Sequence, residues 1–323
     1  MKEMQVTIPS MYKLKGTLAL PEQVNEKLPA ILLMAGSGKL DRNGKASEKL
    51  DLKVYGQLAH TLTDLGFITL RYDKRGVGES DGDFNCTGMW DLVEDAIASI
   101  HFLKQRPEVD PNKVIILGHS EGAMLGTTVA VREQVSGLIL LSGAVERLEE
   151  AMARQRSIAA DDIMSKKGFL GWLLRAFKTH KKIEPQAQKF LAKVMATEED
   201  IIKVQFQKVN AKWIREHFEY DVIKDLEKVN VPVLAITGAR DIQANPNVLR
   251  NLAKYVKGDS EYHIIDNMGH SLKYQSETST MFSIKKDLVK EASLPIHPEL
   301  EPIIKSWLDK HVSQTNKEQL NSI

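Results

Sequence analysis

Three polar side chains, far apart along the chain, follow runs of apolar residues and are of types that move protons or form acyl bonds. Ser120 lies in Gly118-His119-Ser120-Glu121-Gly122, Asp241 ends Gly238-Ala239-Arg240-Asp241, and His270 ends Met268-Gly269-His270. A serine hydroxyl is a poor nucleophile at neutral pH. An imidazole within hydrogen-bond reach takes its proton during attack and returns it to the leaving group. A carboxylate on the far side of that ring fixes its tautomer and stabilises the imidazolium. The three types suffice for acyl transfer if the fold brings them together.

The elements around Ser120 make that reading specific. Val114-Ile115-Ile116-Leu117 reads as a buried strand, and a helix-compatible run follows the pentapeptide to Arg132. A G-x-S-x-G between strand and helix is a tight turn that lifts the serine out of the sheet, its glycines avoiding the clash a Cβ would make. The turn aims the first helical N–H groups at whatever the serine oxygen attacks.

The remaining elements alternate. Residues 3–20 suggest an N-terminal hairpin, residues 30–34 a buried strand, 55–65 a helix ended by Gly66, 67–71 a strand, 89–103 a helix and 137–143 a strand. Alternation resumes with a strand at 231–238, a helix at 246–256 and a last strand at 262–265, then a final amphipathic helix at 298–312. Strands alternating with helices imply a mostly parallel sheet covered on both faces. Asp241 and His270 each fall just past a strand's carboxyl end, as Ser120 does, and in an open parallel sheet those ends converge on one crevice.

Other groups are weighed against these. Gly38-Lys39 looks like the end of a phosphate-binding loop, but Leu40 stands where a hydroxyl residue belongs and Leu33 where the first glycine belongs. Asp73 and Arg75, in a charged loop, are expected to pair with each other or cap backbone. Glu146, after the strand at 137–143, is an alternative acid, and His270 has a structural alternative as a turn residue. His119 is expected to be buried and structural. His60, His101, His180, His217 and His263 are expected in packing or on the surface.

Residues 145–225 break the pattern: they contain no convincing strand and read as several helices. Within them, residues 166–182 mix Phe169, Leu170, Trp172 and Phe177 with Lys166, Lys167, Lys178, Lys181 and Lys182, without an acid. A membrane-surface helix has this character, and so does a lid helix packed over an active site. The lid is preferred, with Trp172 and Phe177 expected to line a partly apolar acyl pocket.

On the loop Ala35-Gly36-Ser37-Gly38, the charged loop Tyr72-Asp73-Lys74-Arg75-Gly76-Val77-Gly78-Glu79-Ser80, the Ser120 turn, Gly238-Ala239-Arg240-Asp241 and Gly269-His270, the chain resembles the α/β-hydrolase superfamily. More narrowly it is similar to bacterial serine carboxylesterases of the dienelactone-hydrolase-like and serine-aminopeptidase-like groups. The resemblance spans about residues 5–145 and 226–312. It implies an α/β fold with a mostly parallel sheet and helices on both faces: core segments at 1–144 and 226–323, and a helical cap at 145–225. It implies Ser120 as nucleophile, Asp241 as acid, His270 as base, and the N–H groups of Ser37 and Glu121 as the oxyanion hole, with Gly36 beside the substrate. No metal or cofactor is implied. The sequence departs from the pattern at Ala35, where a His is common, and at Ile242-Gln243-Ala244-Asn245-Pro246, where a Val-Pro segment is usual.

Composition narrows the classes. The 323 residues are 42% hydrophobic and 27% charged, which fits a soluble globular protein of one large domain with an insertion, or of two. A net charge of +1 gives no field favouring nucleic acid. The single Cys86 excludes an internal disulfide and a cysteine zinc cluster. With no signal-like N-terminus and no long apolar run, a cytoplasmic location without membrane contact is expected, and a homodimer is left open. The expected substrate is a short- to medium-chain carboxylic ester. A peptidase or acyl-thioesterase with the same triad, and a non-catalytic binding protein, are the alternatives.

Overall fold

The computed structural model describes residues 1–313. Residues 314–323, the end of the expected second core segment, lie outside the described residues. Eight strands form one sheet: β1 (Lys2–Pro9), β2 (Lys13–Leu20), β3 (Leu28–Met34), β4 (Ile68–Tyr72), β5 (Val109–His119), β6 (Gly137–Leu141), β7 (Val233–Gly238) and β8 (Ser260–Ile265). Their spatial order is β1-β2-β4-β3-β5-β6-β7-β8. β1 and β2 form the N-terminal hairpin, and β2 pairs antiparallel with β4; every pair from β4 to β8 is parallel.

The central strands are apolar along most of their buried length because both faces are covered, and the two-residue repeat deals their side chains alternately to two cores. Ala30, Leu32, Met34, Val114 and Ile116 enter one core with α2 (Met89–Lys104) and α3 (Glu121–Arg132). Ile31, Leu33, Ile115 and Leu117 enter the other with α1 (Val54–Asp64) and the C-terminal helix Leu300–Leu308. Each such Ile or Leu withdrawn from water contributes about 2 kcal/mol. The sheet is thereby a rigid platform whose strand ends hold position.

Between β6 and β7 lie α4 (Leu148–Ser165), α5 (Gly168–Ala176), α6 (Thr179–Met195) and α7 (Ala211–Glu219). The expectation of no strand between 145 and 225 is overturned: Ile201–Val204 and Gln207–Asn210 form an antiparallel hairpin. Its turn residues, Gln205 and Phe206, both have left-handed backbone, φ 47° and 68°. Two-residue hairpin loops favour that geometry, but Asn-Gly normally signals it, and Gln-Phe carries no such signal. The hairpin and α6–α7 share a small core of their own around Val194, Ile202 and Ala211.

Elsewhere the differences are of extent. The helix expected at 246–256 is a 3₁₀ turn, Pro246–Asn251, followed by one α turn, Leu252–Tyr255. The polar stretch after residue 275 contains a short helix, Ile284–Glu291.

The charged loop after β4 is held by two buried ion pairs: Asp73 and Arg75 do not pair with each other, whereas the other expectation, that they cap backbone, holds for Asp73. Arg75 makes a two-pronged contact with Asp95 of α2, at 2.6 and 2.8 Å, and Ser10 of the N-terminal hairpin donates to the same carboxylate at 2.6 Å. Asp73 pairs with Arg42 at 2.8 Å and accepts the Glu79 N–H at 3.0 Å. Both pairs are almost wholly withdrawn from water, so removing one partner strands a charge. Replacing Arg75 by Met is expected to lower unfolding free energy by about 3 kcal/mol or more in urea titrations. An unchanged midpoint would show that this pair does not hold the loop.

Candidate active site

β5 ends at His119 and α3 begins at Glu121, so the single residue between them makes the whole change of direction. Ser120 has φ 56° and ψ −118°, a conformation L residues adopt only under constraint. The flanking glycines permit it. A Cβ on Gly118 would lie 2.1 Å from the Gly122 carbonyl oxygen, and one on Gly122 would lie 2.2 Å from that of Met34. The Ser120 N–H donates to the Leu141 carbonyl at 2.8 Å, which ties the turn to β6.

The ends of β5, β7 and β8 bring the three polar residues together. Ser120 Oγ lies 3.0 Å from His270 Nε2, and His270 Nδ1 lies 2.8 Å from Asp241 Oδ2. The other Asp241 oxygen accepts the N–H groups of Gln243 and Ala244 at 2.8 and 2.9 Å. Burial alone would push the Asp241 carboxyl up, but the His270 ring and these donors hold it below the ordinary aspartate range. The ionised carboxylate fixes the His270 proton on Nδ1 and leaves the Nε2 lone pair facing Ser120. Glu146, the alternative acid, is engaged elsewhere: Arg154 grips it at 2.8 and 2.9 Å, and it accepts the Asn245 N–H.

A second chain of bonds runs behind Ser120, His270 and Asp241. His119 Nε2 lies 2.9 Å from the His270 carbonyl, which can only accept, so that nitrogen carries the proton. His119 Nδ1 then accepts from the Tyr55 hydroxyl at 3.0 Å, and the Tyr55 oxygen accepts the Gly36 N–H at 2.7 Å. Burial drives the His119 pKa down to about 3, so the ring stays neutral and keeps this polarity. The chain occupies the Gly36 donor. Ser37, the next residue, lines the cavity beside Ser120, and Glu121, first in its helix, has no acceptor one turn earlier.

The Glu121 side chain was not anticipated. It is buried, accepts from Lys74 at 3.0 Å and from the Trp213 indole at 2.5 Å, and lies 3.2 Å from His217 Nε2. Lys74 also donates to the Gly36 carbonyl at 2.5 Å. Burial pushes this carboxyl up; Lys74 and His217 outweigh it and hold it at about 2. One carboxylate thus joins the Ser120 turn, the loop carrying Ser37 and helix α7. The i, i+4 spacing of Trp213 and His217 places both on one face of α7, but that signal does not say what the face meets.

Ser120 opens into a cavity of about 250 Å³ walled by Met124, Leu148, Ala151, Met152, Trp213 and Gln243 among others. Ser142, also on its wall, is buried at φ 50° with its hydroxyl unpartnered. The structure places Trp172 and Phe177 elsewhere: they are exposed and do not line this cavity. Helices α4 and α7, and not α5, wall the cavity. Among the described residues no cluster of His, Cys, Asp or Glu could hold a metal ion, and no helix is long and apolar enough to cross a membrane.

Comparison with known proteins agrees with this arrangement at the level of family and fold. Residues 51–277 match the model of the family described as serine aminopeptidase, S33. The chain is 27% identical over 259 residues to esterase EstD of Thermotoga maritima; the match covers 80% of this chain but only 57% of that longer protein. It is 23% identical to the proline iminopeptidase PfmaB of Pestalotiopsis fici, covering 82% of this chain and 93% of the relative. Among solved structures, Est1E of Butyrivibrio proteoclasticus with ferulic acid bound superposes with a TM-score of 0.59 at 20% identity, covering 88% of this chain and 96% of that one. The α/β hydrolase GrgF of Penicillium sp. sh18 gives 0.61 at 14% identity, covering 97% of this chain and 100% of that one.

The Tyr55 hydroxyl touches no cavity-facing group of the triad, yet it holds both the Gly36 loop and the His119 ring. Tyr55→Phe is expected to lower kcat on any hydrolysed substrate about tenfold with little change in KM, because it disturbs alignment and leaves a buried donor and acceptor unpaired. Wild-type kcat in a folded Tyr55→Phe enzyme would show that the relay does not align the site.

Proposed function

The chain belongs to the serine aminopeptidase (S33) family and has the α/β-hydrolase fold, and on that premise we propose that it is a serine carboxylesterase acting on short- to medium-chain esters. The observation that carries the reading is the unbroken contact Ser120 Oγ–His270 Nε2–Asp241, at 3.0 and 2.8 Å, opening on a small cavity.

In the proposed reaction His270 Nε2 takes the Ser120 proton as the oxygen attacks the ester carbonyl. The charge that develops on the carbonyl oxygen accepts the N–H groups of Ser37 and Glu121, a preorganised pair that needs no rearrangement during reaction. His270 then gives the proton to the departing alcohol, leaving an acyl group on Ser120. Water, deprotonated by the same nitrogen, releases the acid and restores the serine. Asp241 stays ionised throughout and stabilises the imidazolium.

The relatives' names point both to esters and to amino-terminal amides, and the charges in the cavity favour esters. An aminopeptidase substrate brings a free ammonium next to the scissile bond, and a buried cation needs a carboxylate to receive it. The two carboxylates on this cavity wall are already neutralised, Glu121 by Lys74 and Glu146 by Arg154. Size supports modest acyl groups: a cavity of about 150 Å³ holds benzene, so 250 Å³ suits a medium chain or one ring.

A p-nitrophenyl ester series from acetate to palmitate, run beside proline p-nitroanilide, tests this. Turnover is expected to favour acetate to hexanoate, to fall at least about tenfold at laurate, and to be negligible on the anilide. Ser120→Ala is expected to lose about 10⁴-fold or more in kcat and all labelling by a fluorophosphonate. Faster turnover of the anilide than of any ester would overturn the esterase assignment. Retained turnover by the alanine variant would overturn the mechanism.

A further inference from the structure

Helix α5 and the residue after it expose four large apolar side chains, while Leu173 and Leu174 are half-buried. Phe169, Leu170, Trp172 and Phe177 are 76, 53, 58 and 64% exposed, and Gly171 is the helix's one buried residue. Phe169 and Trp172 stack with ring centres 5.7 Å apart, and Phe282, itself exposed, lies under the Lys166 ammonium at 5.4 Å. Single exposed apolar residues are ordinary, whereas a contiguous aromatic group rimmed by charge marks a surface of contact.

The charge along the segment that carries it has one sign. From Ile163 to Ile183 the chain carries Lys166, Lys167, Arg175, Lys178, Lys181 and Lys182 and no acid. The next acid, Glu184, is paired with Arg156. Lys178, at φ 52°, breaks the basic segment into α5 and α6, so that exposed Phe177 and Lys178 stand together at the bend.

We infer that α5 and this bend dock on the surface of a lipid bilayer containing anionic headgroups. The aromatic side chains enter the headgroup–acyl boundary and the lysines meet lipid phosphates. Nine residues span about 13 Å, too short to cross a bilayer but suited to lying in its surface. A second copy of the chain fits the patch poorly, because it would set two equally basic segments face to face, whereas anionic lipid complements them. The patch sits past the far end of α4, whose first turns (Leu148, Ala151, Met152 and Gln155) wall the cavity at Ser120. The same cap thus meets substrate at one end of a helix and the bilayer beyond the other. The inference does not depend on which bond the site cleaves.

Vesicle flotation tests it, with phosphatidylcholine alone and with phosphatidylcholine containing about one-third phosphatidylglycerol. Binding is expected to the anionic vesicles only, to weaken as salt is raised, and to shift tryptophan emission to the blue unless Trp172 is replaced by Phe. The triple variant Lys178→Glu/Lys181→Glu/Lys182→Glu is expected to bind about a hundredfold more weakly. Phe169→Ser is expected to bind about tenfold more weakly. Both should keep the wild-type unfolding midpoint, which separates lost docking from lost folding. Flotation with neither composition, or equally with both, would overturn the proposal. So would a concentration-dependent dimer, seen by ultracentrifugation and abolished by Phe169→Ser, in a protein that leaves vesicles alone.

Discussion

The backbone at Ser120 is the constraint around which the molecule is arranged. Holding a non-glycine residue at φ 56° costs about 1–3 kcal/mol, a sizeable fraction of the few kcal/mol by which a folded domain exceeds its unfolded state. The strain persists because the turn is over-determined. β5 lies between β3 and β6, both neighbours are paired through its last turns, and Gly122 fits beneath the Met34 carbonyl with no room for another atom. Relaxing the serine would mean shifting the centre of the sheet. The hydroxyl is thus presented by the most rigid part of the fold rather than by a flexible loop.

Hydrogen-bond direction, more than proximity, then sets what the site can do. Each carbonyl fixes a proton on the nitrogen facing it, and each fixed proton decides the role of the next atom. Reading outward from the His270 carbonyl, His119 must donate, Tyr55 must donate to His119, and Gly36 must donate to Tyr55. Four residues from four separate segments therefore settle which amide of the loop after β3 is occupied. Charge works in the same way on the other side, where Lys74 and Glu121 each neutralise the other while gripping the loop and the cap.

Much of this architecture was legible in the sequence because it rests on short-range rules. The apolar runs of β3 and β5 announce strands covered on both faces, and the glycines around Ser120 announce the turn. The positions of Asp241 and His270 past strand ends announce their convergence. What was hidden depends on long-range partners. Arg75 could have met Asp73, two residues away, but it pairs with Asp95, whose carboxylate also accepts from Ser10. The hairpin at 201–210 turns on Gln205-Phe206, whose left-handed backbone no propensity would suggest. Trp172 and Phe177 have the composition of pocket residues. Composition alone does not say that α4 and α7 reach the cavity and α5 faces outward.

Arg154 gives the cap a mechanical role. From α4 its guanidinium holds Glu146 and also the carbonyls of Ile242 and Gln243, in the loop that begins at Asp241. Swinging α4 away would pull on the segment that seats Asp241, so the cavity wall and the Ser120–His270–Asp241 contacts form one mechanical unit. A chimera that exchanges the 145–225 segment for that of another family member would remove this joint, because Glu146 and Arg154 both lie inside the exchanged segment. Unless the incoming segment brings its own guanidinium to the carbonyls of Ile242 and Gln243 and its own carboxylate to hold that guanidinium, the exchange would alter the enzyme's chemistry as well as its choice of substrate.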